Sequence, residues 1–145
     1  MSEKSTERVL PQPRNAFKVF RSISTRWEDN DPYGHLNNIV YYSLFDTAVN
    51  SLLIEHGLLD IARSEVVGLV VSNACDYFDS VAFPDKLEVG IRIEHIGRSS
   101  VRYGLAVFRL GENEAAARGT FTHVYVMRAT QKAIEIPAKT RAFLE

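Results

Sequence analysis

One stretch of this chain has a long helical pattern, and that pattern limits what the other residues can build. From residue 39 onward, apolar side chains recur at intervals of three and four, which is the period of an amphipathic helix. Asn37 or Asn38 can cap the first turn, and Gly57 can supply the left-handed residue after the last one. The sequence therefore predicts a helix of about five turns and about 27 Å. Its predicted apolar positions, which follow Ile39, are Tyr41, Leu44, Phe45, Ala48, Val49, Leu52 and Leu53.

The remaining residues have strand patterns. One alternating segment, 17–27, precedes the helix, and four follow it, at 66–79, 87–93, 101–107 and 116–128. The short polar turns between the later segments favour antiparallel neighbours. The side chains predicted to share the buried face of the first segment are Phe17, Val19, Ile23 and Trp27.

The segment 66–79 differs from the other strand segments in its length. It is rich in valine and aromatic residues and is long enough to require a bend or a β-bulge. The side chains of one parity, which we predict to share a face, are Leu69, Val71, Cys75 and Tyr77.

The order of these elements predicts the fold class. A strand, a long helix and then four strands favour an α+β domain in which an antiparallel five-stranded sheet wraps around one long central helix. We predict a single domain at 16–145, preceded by a polar N-terminal tail at 1–15. A cystatin-like or cone-shaped α+β fold fits the same order, and periodicity alone does not separate these folds.

The turn before the helix carries the residues best suited to chemistry. A helix start presents unpaired backbone N–H groups and about half a positive charge, which suits an oxyanion or a polarised carbonyl. The carboxylate of Asp31, just upstream, can face the same atom. The alternative is that Asp31 and the two asparagines, Asn37 and Asn38, only form an Asx-turn and a helix cap.

A resemblance to a known family enters at this turn. Residues 29–38, with the sequence DNDPYGHLNN, are followed by Tyr41-Tyr42 and by Phe-Asp-Thr-Ala at 45–48. This run resembles the D-x-D-x-x-G-H-x-N-N signature of the 4-hydroxybenzoyl-CoA thioesterase-like branch of the hotdog-fold superfamily. The strand pattern extends the likeness to about Pro137.

The resemblance implies a hotdog fold and an acyl-CoA thioesterase that hydrolyses an acyl- or aroyl-CoA to the free acid and CoA. It implies Asp31 as nucleophile or general base, and the backbone N–H of Asn38 or its neighbour as the group that polarises the thioester carbonyl. It further implies a homodimer or homotetramer with active sites between subunits. The residues expected to shape the substrate site are His35, Asn37, Tyr41, Arg98, Ser99 and Ser100.

The motif region contains two further carboxylates, and two alternative functions fit the same resemblance. Asp29 is expected to stabilise the turn, and Asp46 on the helix is the reserve candidate for the catalytic acid. A hotdog acyl-CoA dehydratase is one alternative, although that reaction usually places a histidine with an acidic residue in the motif. A non-catalytic module that binds acyl-CoA or an acyl-carrier protein is another, and a thiol-release assay separates it from an enzyme.

Charge and composition argue against several other classes of protein. The formal net charge of −1 gives no electrostatic support for binding nucleic acid or a membrane. Cys75 is the single cysteine, and the four histidines lack metal-ligand spacing, so we expect no disulfide, no metal and no cofactor. The polar N-terminus is not followed by an apolar signal region, and a reducing, cytoplasmic location is expected.

Overall fold

A computed structural model describes residues 10–145. Within them one antiparallel sheet has the strand order β1-β3-β4-β5-β2, and the long helix α1 packs on its inner face. The elements are β1 (Val19–Ser24), α1 (Asn38–Glu55), β2 (Val66–Tyr77), β3 (Lys86–Ile96), β4 (Ser100–Arg109), β5 (Ala117–Met127) and α2 (Ala138–Leu144). The predicted five-stranded sheet around one long helix is confirmed. Neither helix of the described chain is long and apolar enough to cross a membrane.

The helix α1 begins and ends as its sequence predicts. The side chain of Asn37 caps it by accepting a hydrogen bond from the N–H of Ile39, and Gly57 beyond its end has a φ of 69°. All seven predicted apolar positions are buried, whereas Ile39 in the first turn is 66% exposed. Ile39 lies two positions from Tyr41, which is about 200° around the helix and therefore away from the sheet.

The core lies between α1 and the inner face of the three central strands. Alternate residues of β3, β4 and β5 point towards the helix, and Phe45 of α1 is fully buried against them. Gly119 of β5 allows this close approach, because a Cβ there would lie 2.5 Å from the ring of Phe45. A smaller cluster on the outer face contains Phe17 and Phe108.

The first strand is shorter than predicted. It ends at Ser24, and Trp27 follows in a 3₁₀ turn with 79% of its surface exposed, so its prediction as a buried strand residue was wrong. Phe17 is buried on the outer face instead of sharing a face with Ile23, which packs against the main core. Phe17 directly follows the 3₁₀ turn 14–16 and precedes β1, so the alternation of that strand does not determine the face on which Phe17 lies.

The predicted irregularity of the long strand β2 is confirmed. Its pairing with β5 shifts between Val70 and Ser72, and the shift reverses which side chains face inward. Leu69 therefore lies on the opposite face from Cys75 and Tyr77, which contradicts the prediction that they share one. The strand is also an edge of the sheet, with apolar side chains at 69–71 that are 37–60% exposed.

The sheet has two ends, the motif end and the hairpin end. The motif end contains Tyr77 of β2 and Ala117 of β5, and Val81 just beyond β2 accepts a hydrogen bond from the N–H of Leu36 in the motif turn. The hairpin end contains the turn 97–100 between β3 and β4, together with Val66 at the start of β2. Because strands are extended, the two ends are about 35 Å apart along β5.

The described end of the predicted N-terminal tail contacts the sheet. Residues 1–9 lie outside the described part, whereas Arg14 forms an ion pair with Glu88 at 2.9 Å and donates to the carbonyl of Glu112. Its guanidinium also lies 4.9 Å from the ring centroids of Phe20 and Phe108.

Candidate active site

The motif turn is closed by Asp31. Its backbone N–H donates to the carbonyl of His35 at 2.7 Å, and its carbonyl accepts from the N–H of Gly34 at 3.1 Å. Its Oδ1 accepts from the N–H groups of Tyr33 at 2.9 Å and His35 at 3.1 Å, which is an Asx-turn. Gly34 has a φ of 81°, a left-handed conformation that favours glycine. Among the described residues, Oδ2 of Asp31 has no hydrogen-bond partner.

Asp29 has a different environment from Asp31. It is 3% exposed, and its carboxylate accepts from the backbone N–H of Arg26 at 2.7 Å and from the Arg26 guanidinium at 2.9 Å. Its carbonyl accepts from the N–H of Asn37 at 2.8 Å. The side chain is fully engaged inside the protein, which agrees with the expectation that Asp29 stabilises the turn.

The start of α1 leaves one backbone donor open. Asn37 accepts from Ile39 through Oδ1, while the carbonyl of Asn37 accepts from Val40. Within residues 10–145 the N–H of Asn38 has no acceptor. Since the first N–H groups of a helix lack intrahelical partners and carry the positive end of its dipole, this N–H is suited to a polarised carbonyl oxygen.

A cleft of 310 Å³ joins the turn and the helix start. It brings together four of the residues that the sequence indicated, Asp31, His35, Asn38 and Tyr41, and adds residues from the end of β2. His35 is exposed, and its contribution to the turn comes from its backbone. The lining residues are Asp31, His35, Leu36, Asn38, Tyr41, Tyr77, Asp79 and Ser80.

Two tyrosines form one wall of this cleft. The rings of Tyr41 and Tyr77 meet edge to face with centroids 4.9 Å apart, and the Tyr77 hydroxyl donates to the carbonyl of Asn38 at 3.0 Å. Burial raises the pKa of both phenols, so both remain protonated hydrogen-bond donors near neutral pH. The sequence indicated Tyr77 only as one side chain on a face of the segment 66–79, because nothing local indicates that β2 ends beside the helix start.

The second carboxylate of the cleft is paired. Arg109 at the end of β4 donates to Asp79 at 2.7 Å and to the carbonyl of Ser80. The hydrogen bond from Arg109, with a second from the N–H of Ser80, holds the pKa of Asp79 below its usual value. Asp79 is therefore a neutralised anion, and Asp31 is the carboxylate of the cleft without a cationic partner in the described chain.

The other predicted site residues lie at the hairpin end of the same chain. The side chain of Arg98 is exposed and 3.2 Å from Glu135, and Arg141 donates to the carbonyl of Gly97 at 2.6 Å. Ser99 contacts β5 through its carbonyl, which accepts from Tyr125. One copy of the chain therefore does not bring the turn 97–100 to Asp31.

The reserve candidate and a metal site have no place in the cleft. Asp46 is exposed on α1, and its Oδ1 accepts from the side chain of Asn50 at 2.9 Å. Across residues 10–145, no three His, Cys, Asp or Glu side chains are grouped so that they could hold a metal ion.

Known proteins are similar to this chain in sequence and in fold. A crystal structure of the PA5185 protein from Pseudomonas aeruginosa strain PAO1 is 52% identical to this chain with a TM-score of 0.90, and the match covers 92% of this chain and 94% of that one. A thioesterase from Thermus thermophilus complexed with coenzyme A and Zn is 28% identical with a TM-score of 0.73, over 88% of this chain and 92% of that one.

A further solved structure and a family model give the fold and the family of this chain. A mutant of 4-hydroxybenzoyl-CoA thioesterase complexed with 4-hydroxybenzoyl-CoA has the same fold, with a TM-score of 0.78 at 21% identity over 88% of this chain and 98% of that one. The predicted hotdog fold is thereby confirmed. The family model described as the thioesterase-like superfamily matches residues 25–144, and this chain belongs to that superfamily.

Proposed function

We propose that this chain is an acyl-CoA thioesterase in which Asp31 acts as nucleophile or general base. The observation that carries the proposal is that one cleft contains two polar groups without hydrogen-bond partners, one an acceptor and the other a donor. Oδ2 of Asp31 and the N–H of Asn38 both lack partners among the described residues, and both residues line the same 310 Å³ space. A thioester carbonyl between them would receive a hydrogen bond at oxygen and an attacking group at carbon.

The chemistry has two balanced forms. As a nucleophile, the Asp31 carboxylate adds to the carbonyl carbon, the C–S bond breaks to release the CoA thiolate, and water then hydrolyses the acyl-aspartyl anhydride. As a general base, Asp31 takes a proton from water while the water oxygen attacks, and the thiolate leaves. In both forms negative charge develops on the carbonyl oxygen, where the N–H of Asn38 and the helix dipole stabilise it.

The hydrogen bonds of the turn suit Asp31 to either role. Oδ1 is held by the N–H groups of Tyr33 and His35, which fixes the carboxylate while Oδ2 stays available. Asparagine at this position keeps an oxygen acceptor for those two donors, so the Asp31→Asn variant retains the turn. Its loss of activity therefore reports on chemistry and not on folding.

A second copy of the chain is part of the proposal. β2 is a long edge strand with exposed apolar side chains at 69–71, and such an edge is a template for pairing. Antiparallel pairing of two β2 strands about a two-fold axis brings the motif end of each copy beside the hairpin end of its partner. Each cleft then acquires the partner's turn 97–100, which the same chain holds far from Asp31.

The distribution of charge favours this arrangement for CoA. A larger groove of 680 Å³ adjoins the cleft at the motif end and is lined by four carboxylates. Arg109 pairs with Asp79 and Glu112, but Asp76 and Glu114 have no ion pair in the described chain and repel phosphates. The hairpin end instead carries Arg98 and, beyond the end of β5, Arg128 and Lys132. A partner's hairpin end is thus the better source of positive charge for the CoA phosphates.

The experiment that tests the function is thiol release from a panel of aromatic, short-chain and long-chain acyl-CoAs. The wild-type chain should release CoA from at least one of them. The Asp31→Asn variant should lower kcat by at least about 10²-fold with a much smaller change in KM. A folded Asp31→Asn protein that keeps more than about a tenth of the wild-type kcat would make the assignment of Asp31 wrong and Asp46→Asn the next variant. Binding of acyl-CoA without thiol release by the wild type would favour a binding module instead.

The two chemical forms differ in where oxygen from water appears. In a single turnover in H₂¹⁸O, the nucleophilic route leaves ¹⁸O in the Asp31 carboxylate whenever water attacks the anhydride at the aspartyl carbonyl. The general-base route places ¹⁸O only in the released acid. Mass spectrometry that finds ¹⁸O in the peptide containing Asp31 therefore identifies the nucleophilic route, whereas an unlabelled peptide is the result of general-base catalysis or of water attack at the acyl carbonyl.

The pairing of copies has its own test. Sedimentation at micromolar concentration should give a dimer or a dimer of dimers. Val71→Lys on the exposed edge should shift the protein towards monomer, because it places a charge in the proposed β2–β2 interface. Thiol release should fall with the shift, since each site would lose its partner's turn. A fully active wild-type monomer would contradict this part of the proposal.

A further inference from the structure

The backbone N–H of Asn38, proposed above to stabilise the oxyanion, belongs to a peptide unit that lies between two hydrogen-bonded groups. On one side, the N–H of Asn37 donates to the carbonyl of Asp29 at 2.8 Å. On the other side, the carbonyl of Asn38 accepts from the hydroxyl of Tyr77 at 3.0 Å. The peptide unit between these two bonds is the one whose N–H has no partner in the described chain.

Tyr77 reaches this peptide from a distant part of the sequence. It is the last residue of β2 and is separated from Asn38 by 39 positions. Its ring packs edge to face on Tyr41, which is itself 3% exposed and anchored in the core of α1. The ring contact fixes where the hydroxyl lies, so the strand end, and not the helix alone, sets the orientation of the first helical residue.

We infer that Tyr77 is a positioning residue for the thioesterase reaction, because its hydroxyl holds the Asn38 carbonyl and thereby aims the Asn38 N–H into the cleft. The inference rests on the proposed function of Asp31 and Asn38 but adds a residue to it. Tyr77 contributes neither a proton nor a covalent bond. Its effect is to keep the donor where negative charge develops, which matters because a preorganised donor avoids reorientation during the reaction.

The chemistry of the phenol suits such a role. A carbonyl needs a donor, and burial raises the pKa of Tyr77, so the hydroxyl remains protonated across the range in which a carboxylate can act as base. The side chain is nonetheless 45% exposed, since it forms a wall of the open cleft. In the free protein water competes for this hydrogen bond, and a bound acyl group that covers the wall removes that competition.

The test compares two variants that each lose one phenolic hydroxyl. Tyr77→Phe keeps the ring and its contact with Tyr41 but removes the hydrogen bond to Asn38. Tyr103→Phe makes the same chemical change at a core side chain of β4 that does not line the cleft and whose hydroxyl has no hydrogen-bond partner within residues 10–145. We expect Tyr77→Phe to lower kcat by about 5- to 10-fold with KM within about twofold, and Tyr103→Phe to leave both unchanged.

Amide chemical shifts give a readout that does not depend on activity. In ¹H–¹⁵N spectra, the Asn38 amide should change its chemical shift in Tyr77→Phe, because the orientation of its peptide unit changes, while it stays as in the wild type in Tyr103→Phe. If the wild-type chain releases no thiol, the proposed function fails, and the chemical shift of the Asn38 amide still decides whether Tyr77 holds that peptide.

Three results would overturn the inference. An unchanged kcat in Tyr77→Phe means that the hydroxyl does not position the donor. An unchanged Asn38 amide means that any loss of kcat arises elsewhere. A change confined to the basic limb of the pH profile of kcat would make Tyr77 a proton donor rather than a positioning residue.

Discussion

Lowering the pH should destabilise this fold through one histidine. His123 points inward from β5, is 1% exposed, and lies with its ring centroid 4.7 Å from Phe121 and 5.7 Å from Tyr103. Its Nδ1 has no hydrogen-bond partner among the described residues. Burial among these rings lowers its pKa from 6.5 to about 4, so the folded chain holds the neutral imidazole.

The sign of the effect follows from which state binds the proton. Between pH 6.5 and about 4 the unfolded chain protonates His123 and the folded chain does not, so the free energy of unfolding falls as the pH falls. The contribution is fully present above pH 6.5. The loss amounts to about 2 kcal/mol by pH 5 and approaches about 3 kcal/mol below pH 4. This is a substantial part of the stability of a typical domain.

The assay is urea unfolding at fixed protein concentration between pH 7.5 and pH 5 for wild type and His123→Leu. Leucine is similar in size and does not titrate, so the variant should lose about 2 kcal/mol less than the wild type over this range, whatever its stability at pH 7.5. The control is His95→Gln, whose histidine is exposed and whose pH dependence should follow the wild type. Parallel losses in wild type and His123→Leu would refute a buried, neutral His123.

Three further outcomes follow from contacts of Gly119, Asp29 and Arg98. Gly119→Ala should lower the free energy of unfolding by about 1–3 kcal/mol in urea titrations, because the new methyl group would overlap the carbonyl oxygen of Ala74 and the ring of Phe45. An unchanged midpoint would contradict this close packing of β5 against β2 and α1. Asp29→Asn should lower Tm, because it weakens the buried hydrogen bonds to Arg26, but it should retain most of kcat, unlike Asp31→Asn. Equal losses of kcat in the two variants would contradict the different roles of the two carboxylates. Arg98→Ala should raise KM for acyl-CoA more than it lowers kcat, and the increase in KM should become smaller as salt is added. An unchanged KM at low ionic strength would show that Arg98 does not contact the CoA phosphates.

Local patterns in the sequence determined much of this fold. The 3.6-residue period predicted α1, with Asn37 as its cap and Gly57 beyond its end, because each residue of a helix faces a direction fixed by its position. The alternation in β3, β4 and β5 predicted their buried faces for the same reason, since the period of a strand is two. The motif turn likewise placed Asp31 directly before the helix start.

Other features depended on pairing between distant segments. The order β1-β3-β4-β5-β2 leaves β2 at an edge, and the shift between Val70 and Ser72 reverses its faces, which local alternation does not predict. The contact of Tyr77 with Asn38 and the pairing of Arg109 with Asp79 arise only because the ends of β2 and β4 meet the helix start.

The separation of Asp31 from the turn 97–100 was also decided by tertiary structure. The sequence indicated both as parts of the site, and the resemblance implied one substrate between them. In the folded chain they occupy opposite ends of the sheet, because the β3–β4 hairpin turns at the end away from the motif. Sequence determines which residues are equipped for chemistry, but the direction in which each strand runs determines which of them one chain can bring together.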